Sequence, residues 1–544
     1  MFEQDVHDAS KQYDAAERSI IYTGAGEKPR IIDEVQGVIC DDIFHRDGRL
    51  VTVRITDGEH VLAPLSREAL DNLINRRCCF LGFDRRGNEV RLDSPKWVAE
   101  TIHGLGEWPT FREIRQVTAA PFLRPDGSVG GLEPGYDPKS RVWADVPDGL
   151  VPPPERPTDE EARVALLKLL DVVDEFPFES LAGKAVFVSA VLTILARRHI
   201  TGAVPLFVVD ASKSGSGKTL LARVIAMIGT GTDQGLANSG VNEAEFRKAI
   251  TSFLMSGQPV MILDNQVGKL GGEALDRLQT SGKWTDRLLN HNRVVTLRND
   301  IVTIVTSNNS LVVGDTGRRS LSIRLVPKCE HPEHREFRRT DLLRHVQRNR
   351  HELALAAITI LRWQIANGCP ETRTVNRVAD DGQVIQSPVR PFGSFEAWSK
   401  LVRQAVIQLG LPDPVATQAA IRELDDQAIA ERRFVTALAD WNPDWTGTAE
   451  ELVRAVSSAE EASEVRRALH GVLGEDDFDG PDPIPARVGY RLRALRDRRF
   501  GGWAMTKQGD CRNAVRWGLI SFDNCGDAEM PPAPPESISA SERA

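Results

Sequence analysis

The chain has 544 residues, more than one hydrophobic core usually holds, so three or four domains are expected. With 41% hydrophobic and 27% charged residues, its composition is that of an ordinary soluble protein. The formal net charge of −9 excludes a uniformly basic nucleic-acid coat, although it leaves room for a local basic module.

The sequence shows no pattern that would direct the chain into a membrane or a secretory pathway. The longest apolar stretch, Ala185–Ala196, is shorter than the roughly 20 residues that span a bilayer. The first twenty residues are polar and acidic, unlike a signal peptide. The seven cysteines are too few and too scattered for a disulfide framework. We therefore expect a cytoplasmic protein without a membrane partner.

The first 200 residues change character three times. Residues 1–34 are polar and are expected to be flexible, whereas 35–150 contain short β-type runs broken by turn signals, which predicts a β-rich or α+β domain. Val151–Pro157 is a proline-rich linker. Thr158 and Glu161 then form a capping-box pattern, which predicts a helical lead-in over 157–200.

Between residues 201 and 330 the order is strand, glycine loop, helix, strand, helix and strand, which is typical of a parallel α/β sheet. The short strand Leu206–Val209 runs into the glycine-rich segment Ser212–Thr219, and apolar residues at helical spacing follow. In a P-loop, glycines let backbone N–H groups turn toward phosphates at a helix N-terminus. The residues expected to hold the phosphates of ATP are Ser214, Gly215, Ser216, Gly217, Lys218, Thr219 and Leu220.

Two side chains of this loop have specific expected roles. Lys218 would reach the β- and γ-phosphates, and the hydroxyl of Thr219 would bind Mg²⁺. The loop departs from the usual GxxxxGK[ST] pattern at its first position, where Ser212 stands instead of glycine. The alternative interpretation is a flexible Gly/Ser loop that happens to end in Lys-Thr.

A second apolar strand, Val260–Asp264, ends in a carboxylate. An aspartate at the end of a strand downstream of a P-loop is the expected partner of Thr219 on the Mg²⁺ side. Asn265 follows, where many such ATPases have a glutamate that polarises water. The general base therefore stays unassigned, and either Asp264 or a carboxylate from outside the strand could serve.

The third strand, Ile301–Ser307, is followed by Asn308, whose amide could orient the attacking water. The alternative for this asparagine is an Asx turn that closes the strand. Arg318 and Arg319 come next, on a turn where two adjacent arginines are not easily buried. They form either a solvated edge or an arginine finger that is offered to the phosphates of a neighbouring subunit.

The motifs SGSGKT, MILDN, TSNN and GDTGRR, in this order, resemble the AAA+ ATPase core of superfamily-three helicases. More closely, they resemble the ATPase half of phage- and plasmid-encoded primase–helicase proteins, and the resemblance is strongest over 200–330. It implies ATP and Mg²⁺ as cofactors, with Lys218, Asp264, Asn308, Arg318 and Arg319 in catalysis and Thr219 with Asp264 on the metal. It also implies a ring, often a hexamer, that moves along DNA.

In such helicases the segment between the second and third strands forms a hairpin in the central channel of the ring. Here the segment is Lys283–Arg298, and basic side chains in such a connection suit contacts with phosphates. The candidate DNA-binding residues are Arg287, His291, Arg293 and Arg298. A solvated hairpin without a ligand is the alternative.

A second basic region lies near the C-terminus. Between Arg487 and Arg516 there are nine basic residues and only two acidic ones. The pattern predicts a basic helix over Arg487–Arg499 followed by a hairpin, the order of a winged helix that contacts DNA. The candidate contacts are Arg487, Arg491, Arg493 and Arg498, and a solvated helix face is the alternative.

The fold class expected from these observations is multidomain α/β with a AAA+ P-loop core. An N-terminal α+β domain precedes the core, a helical region over 335–440 follows it, and a winged-helix-like module over 445–523 precedes a disordered tail from 526. The expected function is an ATP-dependent DNA helicase or translocase of a phage or other mobile element. It would act as a ring on single-stranded or forked DNA in replication, with replication partners.

Two other functions remain open. The first is a nucleotide-gated DNA-binding regulator or defence ATPase that assembles on DNA without unwinding it, which Asn265 and the irregular P-loop favour. The second is an AAA+ remodeller of proteins, which would show neither stimulation by DNA nor salt-dependent DNA affinity.

Overall fold

The computed structural model describes most of the chain. The described residues are 18–24, 26–211, 215–237, 243–266, 269–287, 294–308, 311–312, 314–327, 337–378, 384–423, 426–458, 460–473, 484–496, 499–500, 502–511 and 514–522. They fall into two compact units, Met1–Ile421 and Arg422–Ala544. Across these residues, no helix is both long and apolar enough to cross a bilayer.

The first unit begins with three small sheets and three helices. The elements are β1 (Ser19–Tyr22), α1 (Lys28–Ile39), β2 (Phe44–Arg46), β3 (Arg49–Thr56), β4 (Glu59–Pro64), α2 (Arg67–Arg77), β5 (Cys78–Phe83), β6 (Glu89–Leu92), α3 (Lys96–Gly104), β7 (Arg112–Glu113), β8 (Gln116–Thr118), β9 (Phe122–Leu123), β10 (Val129–Gly130), β11 (Gly135–Asp137) and β12 (Val142–Ala144). The sheets have the orders β1-β5-β6, β4-β3-β2-β7 and β11-β12-β8, and β9 pairs with β10.

The expected flexible N-terminus is wrong for the described residues between 18 and 34. Ile21 of β1 and both Ile31 and Ile32 of α1 are buried in the core of the first small sheet. Burying such apolar side chains removes them from water and holds both elements in place. Residues 1–17 lie outside the described residues.

The predicted helical lead-in is present as α4 (Asp159–Val172) and α5 (Leu181–Ala196). The predicted capping box is confirmed, since the hydroxyl of Thr158 accepts from the Glu161 N–H at 3.2 Å and the Glu161 carboxylate accepts from the Thr158 N–H at 2.7 Å. Helix α5 is apolar on all sides and almost wholly buried, as expected of a helix inside a core.

The central sheet follows. Its region contains β13 (Leu206–Ala211), α6 (Lys218–Thr230), β14 (Leu236–Ala237), α7 (Glu243–Ser256), β15 (Val260–Gln266), β16 (Lys269–Leu270), α8 (Glu273–Thr280), β17 (Lys283–Arg287), β18 (Val294–Arg298), β19 (Val302–Asn308), β20 (Leu311–Val312), α9 (Gly314–Arg318) and β21 (Ser320–Leu325). Five strands form a wholly parallel sheet in the order β14-β15-β19-β13-β21. The predicted parallel α/β sheet is confirmed, and β19 lies between β13 and β15.

Both faces of the central sheet are covered, which is why its strands are apolar almost throughout. Phe207 and Val209 of β13 face one core together with α5 and α6. Leu206 and Val208 face a second core together with α7 and α8. This alternation leaves only the strand ends free to present polar side chains.

The region after the central sheet is not purely helical, contrary to the prediction for 335–440. Its elements are α10 (Leu342–Ala366), β22 (Thr374–Val378), β23 (Val384–Pro388), α11 (Glu396–Trp398), α12 (Gln404–Gln408) and α13 (Gln418–Glu423). Strands β22 and β23 form an antiparallel pair. The signal in the sequence is the set of β-branched residues on both sides of Asp381-Gly382, a dipeptide typical of hairpin turns.

The second unit contains α14 (Asp426–Trp441), β24 (Thr446–Gly447), α15 (Ala449–Ser458), α16 (Ser463–Leu473), α17 (Ile484–Ala494), β25 (Arg499–Phe500), β26 (Trp503–Cys511) and β27 (Ala514–Ser521). Its antiparallel sheet has the order β24-β27-β26-β25. Phe434, Val435 and Leu438 of α14 belong to its core, so the unit begins before the predicted boundary at 445. The predicted helix Arg487–Arg499 is also too long, since Arg499 already belongs to a strand.

Candidate functional site

The loop between β13 and α6 depends on two glycines. Gly215 (φ 74°) and Gly217 (φ 88°) adopt the left-handed conformation that strains other residues. A Cβ at Gly217 would also lie 3.1 Å from Cε1 of Phe176. Gly217 precedes the first turn of α6, so the free N–H groups of that turn lie at the end of β13, where they can bind an anion. Ser212 and Ser214 lie outside the described residues.

Lys218 begins α6 and is only 8% exposed. Its Nζ donates a hydrogen bond of 2.6 Å to Oδ1 of Asn308, at the end of the neighbouring strand β19. Burial lowers the pKa of Lys218, against the opposing effect of the nearby carboxylates of Asp210 and Asp264. The structure therefore brings together two of the predicted residues, and the ammonium group contacts a neutral amide rather than a carboxylate.

Thr219 and Asp264 also meet as predicted. The Thr219 hydroxyl donates to Oδ1 of Asp264 at 2.8 Å, and the Thr306 hydroxyl donates to the same oxygen at 2.6 Å. A hydroxyl beside a carboxylate is a donor set that suits Mg²⁺. Among the described residues no group of three or more His, Cys, Asp and Glu side chains could hold a metal, so a bound Mg²⁺ would need oxygens from a nucleotide and water.

Asn265 occupies the position at which a glutamate was expected. Its φ of 52° is left-handed, a conformation that asparagine tolerates better than most residues. Its Oδ1 accepts from Nδ2 of Asn308 at 2.9 Å, and its backbone N–H donates to the Thr306 hydroxyl at 2.8 Å. Asn265 thus links the end of β15 to β19, and the identity of the general base stays open.

Sequence reasoning missed a second polar cluster at the same edge of the sheet. Asp210 is buried near the end of β13, where Oδ1 accepts from the Ser307 hydroxyl at 2.8 Å and Oδ2 faces Nη1 of Arg324 at 3.4 Å. Strand register places these residues opposite one another, because Asp210 pairs with both Ser307 and Arg324. A charged residue inside an otherwise apolar strand was the signal that could have found it.

Arg318 and Arg319 lie at the opposite edge of the sheet. Ser320, which follows them, pairs with Leu206 at the start of β13, whereas the P-loop follows its end at Ala211. At roughly 3.3 Å per residue, this separation along the strand is about 17 Å. The two arginines therefore do not contribute to the nucleotide site of their own chain.

The two arginines differ in exposure. The Arg318 side chain is 60% exposed and its Nε contacts Asp315, on the same short helix. The Arg319 side chain is 11% exposed, with Nη1 2.6 Å from Asp315 Oδ2. The expectation that neither is easily buried is wrong for Arg319, because Asp315 compensates its charge. Arg318 is the one that remains accessible.

The segment between α8 and β19 forms the predicted hairpin, since β17 and β18 pair in antiparallel register. Trp284 is fully buried at its base, where Nε1 donates to the Thr251 hydroxyl of α7 at 2.8 Å. Arg287 is exposed next to the tip, whereas Arg298 lies at the other end, paired with Lys283. His291 and Arg293 lie outside the described residues.

The helix that supports this hairpin is held by the N-terminal region. The Arg46 guanidinium donates to the carbonyls of Leu254 and Met255, in the last turn of α7, at 2.8 and 2.9 Å. Helix C-terminal carbonyls have no partners within the helix, so this arginine satisfies groups that would otherwise need water. Gly257 follows with φ 76°, and a Cβ there would lie 2.8 Å from Cδ1 of Leu62. The N-terminal strands thus pack directly against the end of α7.

The basic helix of the second unit is α17. One side of α17 is buried and carries Val488 and Leu492. Of its arginines, Arg487 and Arg491 are half-buried and Arg493 is exposed. The hairpin β26–β27 follows it in the chain, in the predicted order. Arg498 lies outside the described residues.

Comparisons with known proteins give weak similarities. No protein-family model matches the chain, and no curated protein matches it. Among solved structures, the NrS-1 C-terminal region (apo A form, 305–718) shares 13% identity over 83% of this chain and 99% of its own, with a TM-score of 0.34. The active helicase Cch of SCCmec type IV shares 13% identity over 87% and 91%, also at 0.34. A JCV helicase bound to a substituted N-phenylacetamide shares 16% identity over 49% of this chain and 74% of its own, with a TM-score of 0.21. Because these TM-scores are all low, the function proposed below rests on the chain's own residues.

Proposed function

We propose that this chain is an ATP-dependent DNA helicase or translocase whose ATPase site lies at the carboxyl edge of the central sheet. The observation that carries the proposal is the convergence of Lys218, Thr219, Asp264 and Asn308 from one helix and two strands. An ammonium group and a helix N-terminus suit phosphates, and a hydroxyl beside a carboxylate suits the metal ion that a nucleotide carries. An amide nearby can orient a water molecule.

Each residue then has a part in the reaction. Backbone N–H groups at the start of α6 bind the phosphates. Lys218 gives up its hydrogen bond to the Asn308 amide and binds the terminal phosphates instead. Thr219 and Asp264 would hold a Mg²⁺ ion, which would supply charge neutralisation at the phosphate oxygens. Asn308, once released from Lys218, is free to orient the attacking water. The proton of that water passes to Asp264 or to a carboxylate from elsewhere.

Phosphoryl transfer is often assisted by a further arginine, and Arg318 is the candidate that would supply it from a neighbouring subunit. The proposal therefore includes a homo-oligomeric ring, with a hexamer as the expected form. Origin from a phage or another mobile element, and a role in replication, are parts of the proposal that rest on the sequence resemblance alone.

The DNA-binding part of the proposal rests on charge and position. Arg287 is exposed beside the tip of a hairpin that is rigidly anchored through Trp284. Arg493 is exposed on a helix that precedes a β-hairpin in the second unit. Guanidinium groups in such positions bind phosphates of single-stranded or forked DNA without reading sequence.

The test is ATP hydrolysis by the Lys218→Ala variant with and without single-stranded DNA. We expect the rate to fall by about a hundredfold or more, because a preorganised charge that stabilises the transition state is removed. The matched control is Lys248→Ala, which deletes a surface lysine paired with Glu245 on α7. Full DNA-stimulated activity of Lys218→Ala would show that the site is assigned wrongly.

A second candidate function is favoured by Asn265. With an amide where a glutamate was expected, the site could bind ATP and turn it over slowly, as in a nucleotide-gated DNA-binding regulator or a defence ATPase. Unwinding of a forked duplex under ATP supports the helicase. Filter binding to DNA under a non-hydrolysable analogue, without unwinding under ATP, supports the regulator.

A further inference from the structure

Within the described part of the chain, the sheet β1-β5-β6 near the N-terminus packs against helices on one face. Ile21, Cys78 and Phe80 point into the core formed with α1, α2 and α3. The other face carries a row of paired residues, in which Tyr22 lies opposite Leu81 and Leu81 opposite Arg91. Phe83 and its partner Glu89 lie on this same face. The face that carries these residues is called the open face below.

The open face is apolar and aromatic; its Leu81 is buried, whereas three large side chains around it are exposed. Ile20 is 57% exposed, Tyr22 42% and Phe83 62%. The rings of Tyr22 and Phe83 lie nearly parallel, with an angle of 15° between their planes and 6.3 Å between their centroids. Large aromatic side chains that leave much of their surface in water on adjacent strands are typical of binding surfaces rather than of cores.

The charges around the open face are positive. Arg85 and Arg86 lie in the turn between β5 and β6, Arg91 lies on the open face itself, and all three are exposed. None of these three side chains forms an ion pair with another described residue.

The two carboxylates nearby are engaged in other contacts. Asp84 accepts from the backbone N–H groups of Arg86 and Asn88 at 2.8 and 2.9 Å, which lowers its pKa and closes the turn. Glu89 accepts from the Tyr22 hydroxyl at 3.1 Å and raises the pKa of that tyrosine. The guanidinium groups therefore remain available to an anionic partner.

We propose that the open face binds single-stranded nucleic acid, with bases stacked on Tyr22 and Phe83 and phosphates bound by Arg85, Arg86 and Arg91. Aromatic rings beside unpaired cations bind strands of any sequence, since every base has a π-face and every nucleotide a phosphate. The face has few groups that could read base edges, so binding is independent of sequence. The choice of DNA as substrate rests on the proposed function, but the site is separate from the ATPase site.

The test uses the full chain, without nucleotide, and a short oligothymidylate that contains bromodeoxyuridine. Irradiation is expected to cross-link the oligonucleotide to peptides that contain Tyr22 or Phe83. In fluorescence anisotropy the Tyr22→Ala/Phe83→Ala variant is expected to bind at least fivefold more weakly, because both rings on which bases stack are removed.

Two control variants separate stacking from general damage to the domain. Tyr22→Phe keeps the ring and is expected to retain binding. Ile55→Ala removes another exposed apolar side chain, 68% exposed on β3, and is expected to bind like the wild type. Circular dichroism of each variant shows whether the fold is kept.

Three results would overturn the proposal. The first is that the double variant binds with unchanged affinity and no cross-links form at these peptides. The second is that Ile55→Ala loses as much affinity as the double variant. The third is that the double variant changes its oligomeric state, which would make the open face a protein contact. Failure of the ATPase assignment would appear separately, in the activity of Lys218→Ala. Loss of DNA binding in the double variant together with full ATPase activity in Lys218→Ala would keep this site and reject the motor.

Discussion

The two edges of the central sheet differ in how their polar residues are arranged. At the carboxyl edge, side chains from α6, β15 and β19 contact one another through Lys218–Asn308 and Thr219–Asp264. At the amino edge, Arg318 and Arg319 contact Asp315 on their own short helix, away from the P-loop. At one edge, side chains from several elements are therefore already in contact, whereas at the other edge Arg318 is exposed and contacts only its local partner Asp315 among the ion pairs described. We infer that a complete site needs both edges, from two copies.

The largest expected effect comes from Arg318→Ala, which should lower ATPase activity by roughly a thousandfold, as for other arginine fingers. ATP binding should change little, because Arg318 lies away from its own chain's P-loop. Mixing Arg318→Ala with Lys218→Ala subunits should restore part of the activity, since an intact P-loop can then face an intact arginine. Steady-state hydrolysis at several mixing ratios measures this recovery.

Arg319→Ala is the matched control for this experiment, because Arg319 is buried against Asp315 and should affect stability rather than catalysis. A mixture no more active than its two components would contradict the assignment of Arg318 to a neighbouring site. ATP hydrolysis would then depend on residues of the carboxyl edge without an arginine from a second copy.

Asn308→Ala tests the carboxyl edge itself and should lower kcat by about 10- to 100-fold with little change in KM. The amide is expected to contact the attacking water in the transition state rather than bound ATP. Loss of such an interaction lowers kcat and leaves KM nearly unchanged. Asn299→Ala, whose amide instead donates to the carbonyls of Leu278 and Ser281, is the control. An increase in KM at constant kcat would make Asn308 a binding residue only.

Thr306→Val is expected to act mainly on stability. The hydroxyl of Thr306 is buried, donates to Asp264 and accepts from the Asn265 N–H. An isosteric valine therefore leaves the Asn265 N–H without this acceptor, and Asp264 Oδ1 keeps only the hydrogen bond from Thr219. The expected cost is about 1–3 kcal/mol in the free energy of unfolding. Urea unfolding of the variant against Thr303→Val, on the same strand, measures it, and equal midpoints would show that the bonds contribute little.

The smallest effect is expected for Asn265→Glu, which introduces the glutamate that was expected at this position. A glutamate at φ 52° is strained by about 1 kcal/mol and cannot keep the bond that Asn265 accepts from Asn308 in the same geometry. We expect hydrolysis to stay level or to fall slightly. A clear rise in kcat would show that the missing carboxylate, and not the backbone, limits the rate.

The carboxyl edge could be predicted from the sequence because local patterns fix it. A strand before a glycine loop, and polar residues at the ends of later apolar strands, place Lys218, Asp264 and Asn308 together once the sheet is parallel. Their detailed partners depend on register, which no local pattern specifies. The contact of Asp210 with Ser307, across nearly a hundred residues of chain, is of this kind.

Other features depended on tertiary structure. Arg319 is largely buried because its charge is compensated by Asp315, four residues earlier in the chain. The two side chains come close only because the intervening residues form a short helix. The β22–β23 pair lies between segments with helical spacing, and neither strand alternates strictly between apolar and polar residues. The open face could not be predicted, because the exposure of Tyr22 and Phe83 depends on which face of their sheet the helices cover.

The contact of Arg46 with the end of α7 has a practical consequence for dissecting the molecule. A fragment cut at the proline-rich linker would contain every nucleotide-site residue, yet it would leave the carbonyls of Leu254 and Met255 without their donor. The apolar surface that Leu62 covers beside Gly257 would become exposed as well. The smallest fragment that keeps the central sheet intact is therefore expected to begin before Phe44, and shorter fragments should be prone to aggregation even where they contain every residue of the candidate site.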